Sequence, residues 1–253
     1  MSENRKPAPF VRWAENTLNF YWHNFMPWKE QPASALPAVM LVHSWGSTPG
    51  TMSVLARRLG VDGFAPSCAR LGGLAKTFNT NGVEASASLL ALQVKNLAAK
   101  SPSGRIAIVG HSLGGVIARW FVSAMGGAAF VHTIVTLGSP HRGSPFALKK
   151  RLFLLRRLSQ GLRDIAPDSP LITRMKQMQI PAETYVASIY SPVDTYCPRP
   201  YAEIEIPPGA GNIVNVDAGD YSHEELVIDE GVYSLIRREL EIGINRSVAT
   251  FKL

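Results

Sequence analysis

Residues 105 to 122, RIAIVGHSLGGVIARWFV, hold one side chain whose setting suits it to nucleophilic attack. It is Ser112, with Gly110 two positions before it and Gly114 two positions after. An apolar, strand-like run leads in and a helix-forming run leads out, so the hydroxyl is expected at the tip of a sharp strand-to-helix turn. The turn explains the glycines: a side chain at either position would strike neighbouring backbone, and glycine has none. The helix that begins after Ser112 turns its free N–H groups and partial positive charge toward any oxyanion formed beside the serine. A serine so placed is a nucleophile for acyl transfer, provided that a general base and an acid to orient it come from elsewhere in the chain. Without those partners, the same spacing is a tight turn with no chemistry.

The elements around this turn follow a regular rhythm. Short apolar runs at 38–43 (AVMLVH), 105–109, 131–137 (VHTIVTL), 184–190 (TYVASIY) and 212–216 (NIVNV) read as buried strands, with a weaker one at 63–68. Between them, 51–59, 83–99, 113–125 and 232–242 carry apolar residues at helical spacing. Strands this apolar, alternating with helices, predict a parallel sheet covered on both faces. With 253 residues, 46% of them hydrophobic, the chain is expected to form a single α/β domain over 1–253. Two segments depart from the rhythm: an aromatic-rich N-terminal extension over 1–36 and an insertion over 144–180. No internal repeat or low-complexity segment is visible.

GHSLGG at 110–115, preceded by LVHSWGS at 41–47 and followed by TLGSPHRGSP at 136–145, resembles bacterial lipases and related esterases of the α/β-hydrolase superfamily. The likeness covers residues 38 to 145, and the remainder by topology only. It implies the α/β-hydrolase fold: a mostly parallel central sheet, helices on both faces and a small cap or lid insertion at 144–180. It further implies cleavage of carboxylic esters with an apolar acyl chain, through a Ser-His-Asp triad and an acyl-enzyme. The oxyanion-hole N–H groups carried over from the family are those of Trp45 and Leu113, although Ser44 stands where the family usually has glycine. The family's chain order is nucleophile, acid, histidine, with both partners on loops at the C-terminal ends of later strands. His132 falls inside a strand, and His141 precedes every candidate acid. His223, on the loop after 212–216, is therefore the expected base, with His141 its rival. For the acid, Asp194 in SIYSPVDTYCP follows the strand 184–190 and is favoured over Asp217 and Asp220. An acyltransferase or amidase would use the same three residues, whereas a catalytically silent binding protein would keep the fold without needing them.

The formal charge of +7 concentrates partly in residues 146–165, FALKKRLFLLRRLSQGLRDI. Leu148, Leu152, Leu155, Leu158, Leu162 and Ile165 fall at helical spacing among Lys149, Lys150, Arg151, Arg156, Arg157 and Arg163. A basic amphipathic helix is expected, broken at Gly161, where these hydrolases carry a lid. Its stripe would shape an acyl pocket, and its charged face would meet solvent, anionic lipid or an acidic substrate. Basic residues interleaved with leucines, and no recognition motif, argue against nucleic acid. The aromatics of 10–28 predict a helix packed on its own domain, with a lipid interface as the alternative. Expected partners are thus a small-molecule or lipid ester substrate and transient contact with a membrane surface. No stretch approaches the roughly 20 apolar residues that span a bilayer, and Met1 to Pro9 lack a secretory signal's apolar run. A cytoplasmic location is expected, or export if a leader has been removed. Cys68 and Cys197 are expected as free thiols, four strands or about 19 Å apart. No phosphate-binding loop, His-Glu-x-x-His helix or Cys/His cluster is present, so neither cofactor nor metal is expected. Some secreted lipases that the chain resembles hold calcium near the histidine; only Asp217 and Asp220 offer carboxylates there.

Overall fold

A computed structural model describes residues 9–28, 37–75, 78–149 and 152–250. Residues 1–8 and 29–36 of the N-terminal extension, and Lys150 and Arg151 of the basic stretch, lie outside them. The strands are β1 (Ala38–Val42), β2 (Ala65–Cys68), β3 (Ile106–His111), β4 (Val131–Leu137), β5 (Tyr185–Tyr190) and β6 (Ile213–Asp217). They form one six-stranded sheet in the order β2-β1-β3-β4-β5-β6, every pair parallel. β1, β3, β4 and β5 are buried along their whole length, which is why they read as continuous apolar runs, while edge strands β2 and β6 are only partly covered. The register sets Val42 beside Gly110, His111 beside Leu137 and Tyr190 beside Asp217, so the strands end at one common edge. In open parallel sheets that edge is where sites form.

Among the described residues ten helices connect and cover the strands: α1 (Pro9–Asn24), α2 (Ser53–Val61), α3 (Val83–Ala98), α4 (Leu113–Ala124), α5 (Phe153–Leu158), α6 (Gln160–Asp164), α7 (Pro170–Gln177), α8 (Arg199–Ala202), α9 (Glu225–Ile228) and α10 (Glu230–Thr250). One core packs Leu90 of α3 and Ile117 and Phe121 of α4 against Ile108 and Ile134. The other packs Leu55 of α2 and Ile236 and Leu240 of α10 against Leu41, Val109 and Val135. Both faces of the sheet are therefore sealed. Cys68 and Cys197 are buried and not joined in a disulfide, one on β2 and one past the end of β5, four places away in the sheet. No helix among the described residues is long and apolar enough to cross a membrane.

Helix α1 packs on the domain. Phe20 is buried in the second core, and the N–H and hydroxyl of Thr48 donate to Oδ1 and O of Asn24, each at 2.8 Å. Leu18, Trp22 and Phe25 nevertheless face outward, 65 to 76% exposed.

The single helix expected over 146–165 does not form. A 3-10 turn at Pro145–Leu148 is followed by α5 and α6, and the break falls at Ser159, not at Gly161. Ser159 is extended because its hydroxyl has two distant partners: it accepts the Trp45 indole N–H at 2.7 Å and donates to Thr80 O at 3.1 Å. Gly161 lies inside α6, where a Cβ would press on Asn81 O at 2.7 Å. The predicted stripe is consequently divided. Leu152, Leu162 and Ile165 are buried, while Leu148, Leu155 and Leu158 are exposed.

Candidate active site

Ser112 joins β3 to α4 with φ 54° and ψ −121°, a conformation that costs an ordinary residue roughly 1–3 kcal/mol. Its surroundings hold it there. The Ser112 N–H donates to Leu137 O at 2.8 Å, tying the turn to β4. A Cβ on Gly110 would sit 2.6 Å from the N and Cα of Gly115, and one on Gly114 would run into Val42 O. Gly115 is needed too, since its Cβ would strike Ser139 Oγ. Two close backbone approaches and one close side chain thus account for three glycines.

Loops from two later strands supply the expected partners. Asp194 follows β5 and His223 follows β6; His223 Nδ1 lies 2.7 Å from Asp194 Oδ2, both side chains buried. The other Asp194 oxygen accepts the backbone N–H groups of Tyr196 at 2.8 Å and Cys197 at 2.9 Å, so three donors fix one carboxylate. Burial alone would push the His223 imidazole toward its neutral form. The charge and hydrogen bond of Asp194, joined by the charge of Glu224, outweigh it and raise the His223 pKa above its ordinary value. The ring is also held by its neighbours. Tyr196 stacks on it at 5.0 Å between centroids, His111 lies 4.6 Å away, and His111 Nε2–H donates to His223 O at 3.0 Å. Gly138, at φ 52°, gives the pair its space: a Cβ there would lie 2.8 Å from Asp194 Oδ2 and 3.0 Å from His223 Nδ1.

The rival residues are placed elsewhere. His141 is fully buried with Nε2 3.0 Å from Thr136 Oγ1. Because Thr136 donates to Ser188 and Ser188 to Ala202 O, His141 Nε2 must carry the proton of that first bond. His132, as expected, sits within β4, bonded to Thr133 Oγ1. Asp217 accepts the Gly219 N–H, and Asp220 lines a recess with Trp13 and Thr17. Among the described residues, no group of three or more His, Cys, Asp or Glu side chains is placed to hold a metal ion.

Ser112, His223 and Trp45 line one cavity of about 250 Å³. Leu113 is the first residue of α4, so its N–H has no partner within the helix. In the other loop the Gly46 N–H goes to Asn79 O and the Ser47 N–H to Ser44 O, and among the described residues no backbone carbonyl takes the Trp45 N–H. Ser44 is tolerated in place of glycine, its hydroxyl donating to Ser47 Oγ at 3.2 Å. The apolar walls are Phe20 and Tyr21 of α1, Phe146, and Leu162 and Ile165 of the insertion. The Tyr21 hydroxyl donates to Glu224 Oε1 at 3.3 Å, and burial, then Glu224, push its pKa up. Sequence reading did not bring out Phe20, Tyr21, Tyr196 or Gly138 as parts of this site.

The parallel sheet, the strained serine turn and the loops at the strand ends define a class: the chain has the α/β-hydrolase fold. Residues 78–164 match the family model of a PGAP1-like alpha/beta domain. No curated protein matches the chain in sequence. Among solved structures, a lipase of Bacillus licheniformis in its mature form is 13% identical, with TM-score 0.65 over 85% of this chain and 96% of that one. A monoacylglycerol lipase of Paleococcus ferrophilus is 18% identical, with TM-score 0.58 over 84% and 96%. Lipase B of Aspergillus fumigatus is 17% identical, with TM-score 0.64 over 82% of this chain and 54% of that one.

Proposed function

We propose that the protein is a serine hydrolase that cleaves carboxylic esters with an apolar acyl chain. The observation that carries this reading is the 2.7 Å His223–Asp194 pair, whose histidine lines the same cavity as a serine held in a strained turn. In the proposed reaction His223 Nε2 takes the Ser112 proton, and the alkoxide attacks the ester carbonyl. The N–H groups of Leu113 and Trp45 hold the oxyanion. His223 then protonates the departing alcohol, leaving an acyl-enzyme that water hydrolyses by the same route. Asp194 fixes the tautomer of His223 and stabilises the imidazolium. The apolar walls favour an acyl chain over a charged group, and the lipases of similar fold support this choice. Residues 144–180 act as the cap over this single domain, and α1 as a further wall. Leu18, Trp22 and Phe25, with Phe153, Leu154 and Leu158 beside Arg156 and Arg157, are where we place transient contact with a lipid surface. Acyl transfer to an alcohol or amine would use the same residues, and product analysis with added acceptors separates it.

The test is hydrolysis of p-nitrophenyl esters of graded acyl length, with labelling by a serine-directed phosphonate. Ser112→Ala is expected to abolish labelling and to lower turnover by about 10⁴-fold or more while leaving the fold intact. Well-folded wild type that neither turns over any ester nor takes the label would sink the reading.

A further inference from the structure

A second cavity, of about 220 Å³, shares no lining residue with the one at Ser112. Its walls come from Arg119 on α4, the turn His141–Arg142, and the segments 176–180 and 203–208. Arg119 is 7% exposed. One of its N–H groups donates to Met175 O at 2.9 Å, while Nε is buried with no acceptor. Among the described residues no carboxylate pairs with Arg119 or with the half-buried Arg142. Arg119 and Arg142 line the same cavity, and burial, then the charge of Arg142, lower the Arg119 pKa to about 10. The acids on the wall do not answer them: Glu203 is held by Arg199 at 2.9 Å, and Glu205 is exposed, like Lys176.

A buried cation without a counter-charge is costly, and a second cation on the same cavity adds to the cost. An anion that bridges them reverses that cost, because charge-assisted bonds to a guanidinium fork are strongest in an apolar, poorly screened setting. Met178, Ile180 and Ile204 provide that setting. We propose that this cavity binds a phosphate group, gripped by the Arg119 and Arg142 guanidiniums. Two positive charges match a phosphate dianion better than a carboxylate. The space fits the phosphate and a short stub, whereas a nucleotide calls for more. His141 adds a third mark. It lines the same cavity, its Nε2–H is committed to Thr136, and its Nδ1 is buried without a partner. The inorganic phosphate dianion keeps one proton and so supplies the donor that this nitrogen lacks.

The experiment is a calorimetric titration of the full chain carrying Ser112→Ala with inorganic phosphate, chloride holding the ionic strength constant. Binding is read without turnover, so failure here leaves the hydrolase reading untouched. Saturable one-site binding is expected, weakened at least tenfold by Arg142→Gln. Phosphate should also raise the melting temperature of the parent but not of that variant, whose fold is checked by circular dichroism. No saturable binding by the parent, or equal affinity in the variant, overturns the proposal. Sedimentation with phosphatidylcholine vesicles, with and without phosphatidic acid, then identifies the source. Pelleting only with phosphatidic acid, reversed by free phosphate, assigns a lipid head group; phosphate binding without pelleting assigns a soluble phosphate.

Discussion

At His223 two opposed effects meet on one ring. Burial disfavours the imidazolium, and the negative charge 2.7 Å away on Asp194 favours it; the second prevails. A general base must be neutral to accept the serine proton. For the proposed ester hydrolysis a raised pKa therefore means that activity is complete at alkaline pH and is lost as pH falls through a value above the ordinary histidine pKa of about 6.5. Asp194→Asn removes the raising charge and leaves the burial, so the acid limb of kcat/KM should move to lower pH. The rate on its plateau should fall on the order of 10⁴-fold, because the imidazole loses its tautomer and its charge partner. A pH profile of both chains decides the matter, and an acid limb that stays put or rises in the variant refutes this account. Ser112, Asp194 and His223 could be singled out in the sequence because each has a local sign: flanking glycines, or a place in the chain order after a strand. Gly138 and Tyr196 have none. Gly138 matters because of what Asp194 and His223, from two other loops, bring against it, and Tyr196 because its ring lands on His223.

Helix α1 shows the same limit at the next scale. Its aromatic crowding announced a helix packed on its own domain, but not on which part of it. The structure lays Phe20 against His111, at 5.8 Å between ring centroids, and makes Phe20 and Tyr21 a wall of the Ser112 cavity. The seat of the helix is Gly50, where a Cβ would collide with the carbonyl oxygens of His23 and Met26. Gly50→Ala is expected to lever the end of α1 outward. Overpacking of this kind costs about 1–3 kcal/mol, and the loosened wall should shift ester preference toward longer acyl chains while phosphonate labelling of Ser112 persists. Thermal unfolding and an acyl-length profile measure the two effects, and wild-type behaviour in both would show that α1 does not shape the pocket. The insertion failed as a single helix for a comparable reason. Its leucine spacing is locally helical, yet Ser159 is drawn away by Trp45 and Thr80, partners far along the chain. α7 was not among the expected helices, although its start carries a signal: Ser169 caps the Ile172 N–H at 3.1 Å and Pro170 opens the first turn, as such residues do.

Over the whole molecule, the sheet was legible because fully buried parallel strands leave apolar runs that need no partner to be recognised. What the runs did not reveal is how many histidines the fold would bury. His43, His111, His132 and His141 all have pKa values lowered by burial, those of His43 and His132 to about 4. In the unfolded chain each returns to about 6.5. Between these values the unfolded state binds more protons than the folded one, so stability is fully present above about pH 6.5 and declines as pH falls toward 4. The His23 pKa is lowered too, by burial and then by the charge of Arg57, whereas His223 acts in the opposite sense: its raised pKa makes the folded state take up a proton first, one group against five. The net expectation is a melting temperature that is level near pH 7 to 8 and drops steadily below about 6.5. His132→Gln, at a buried position outside the Ser112 cavity, should flatten that slope by about one proton while lowering the melting temperature at neutral pH through the lost contact with Thr133. Calorimetric melts from pH 8 to 4.5 test this directly. A melting temperature unchanged across that range would mean that these imidazoles reach protons in the folded state, and that the two cores on which the site rests are less closed than their burial indicates.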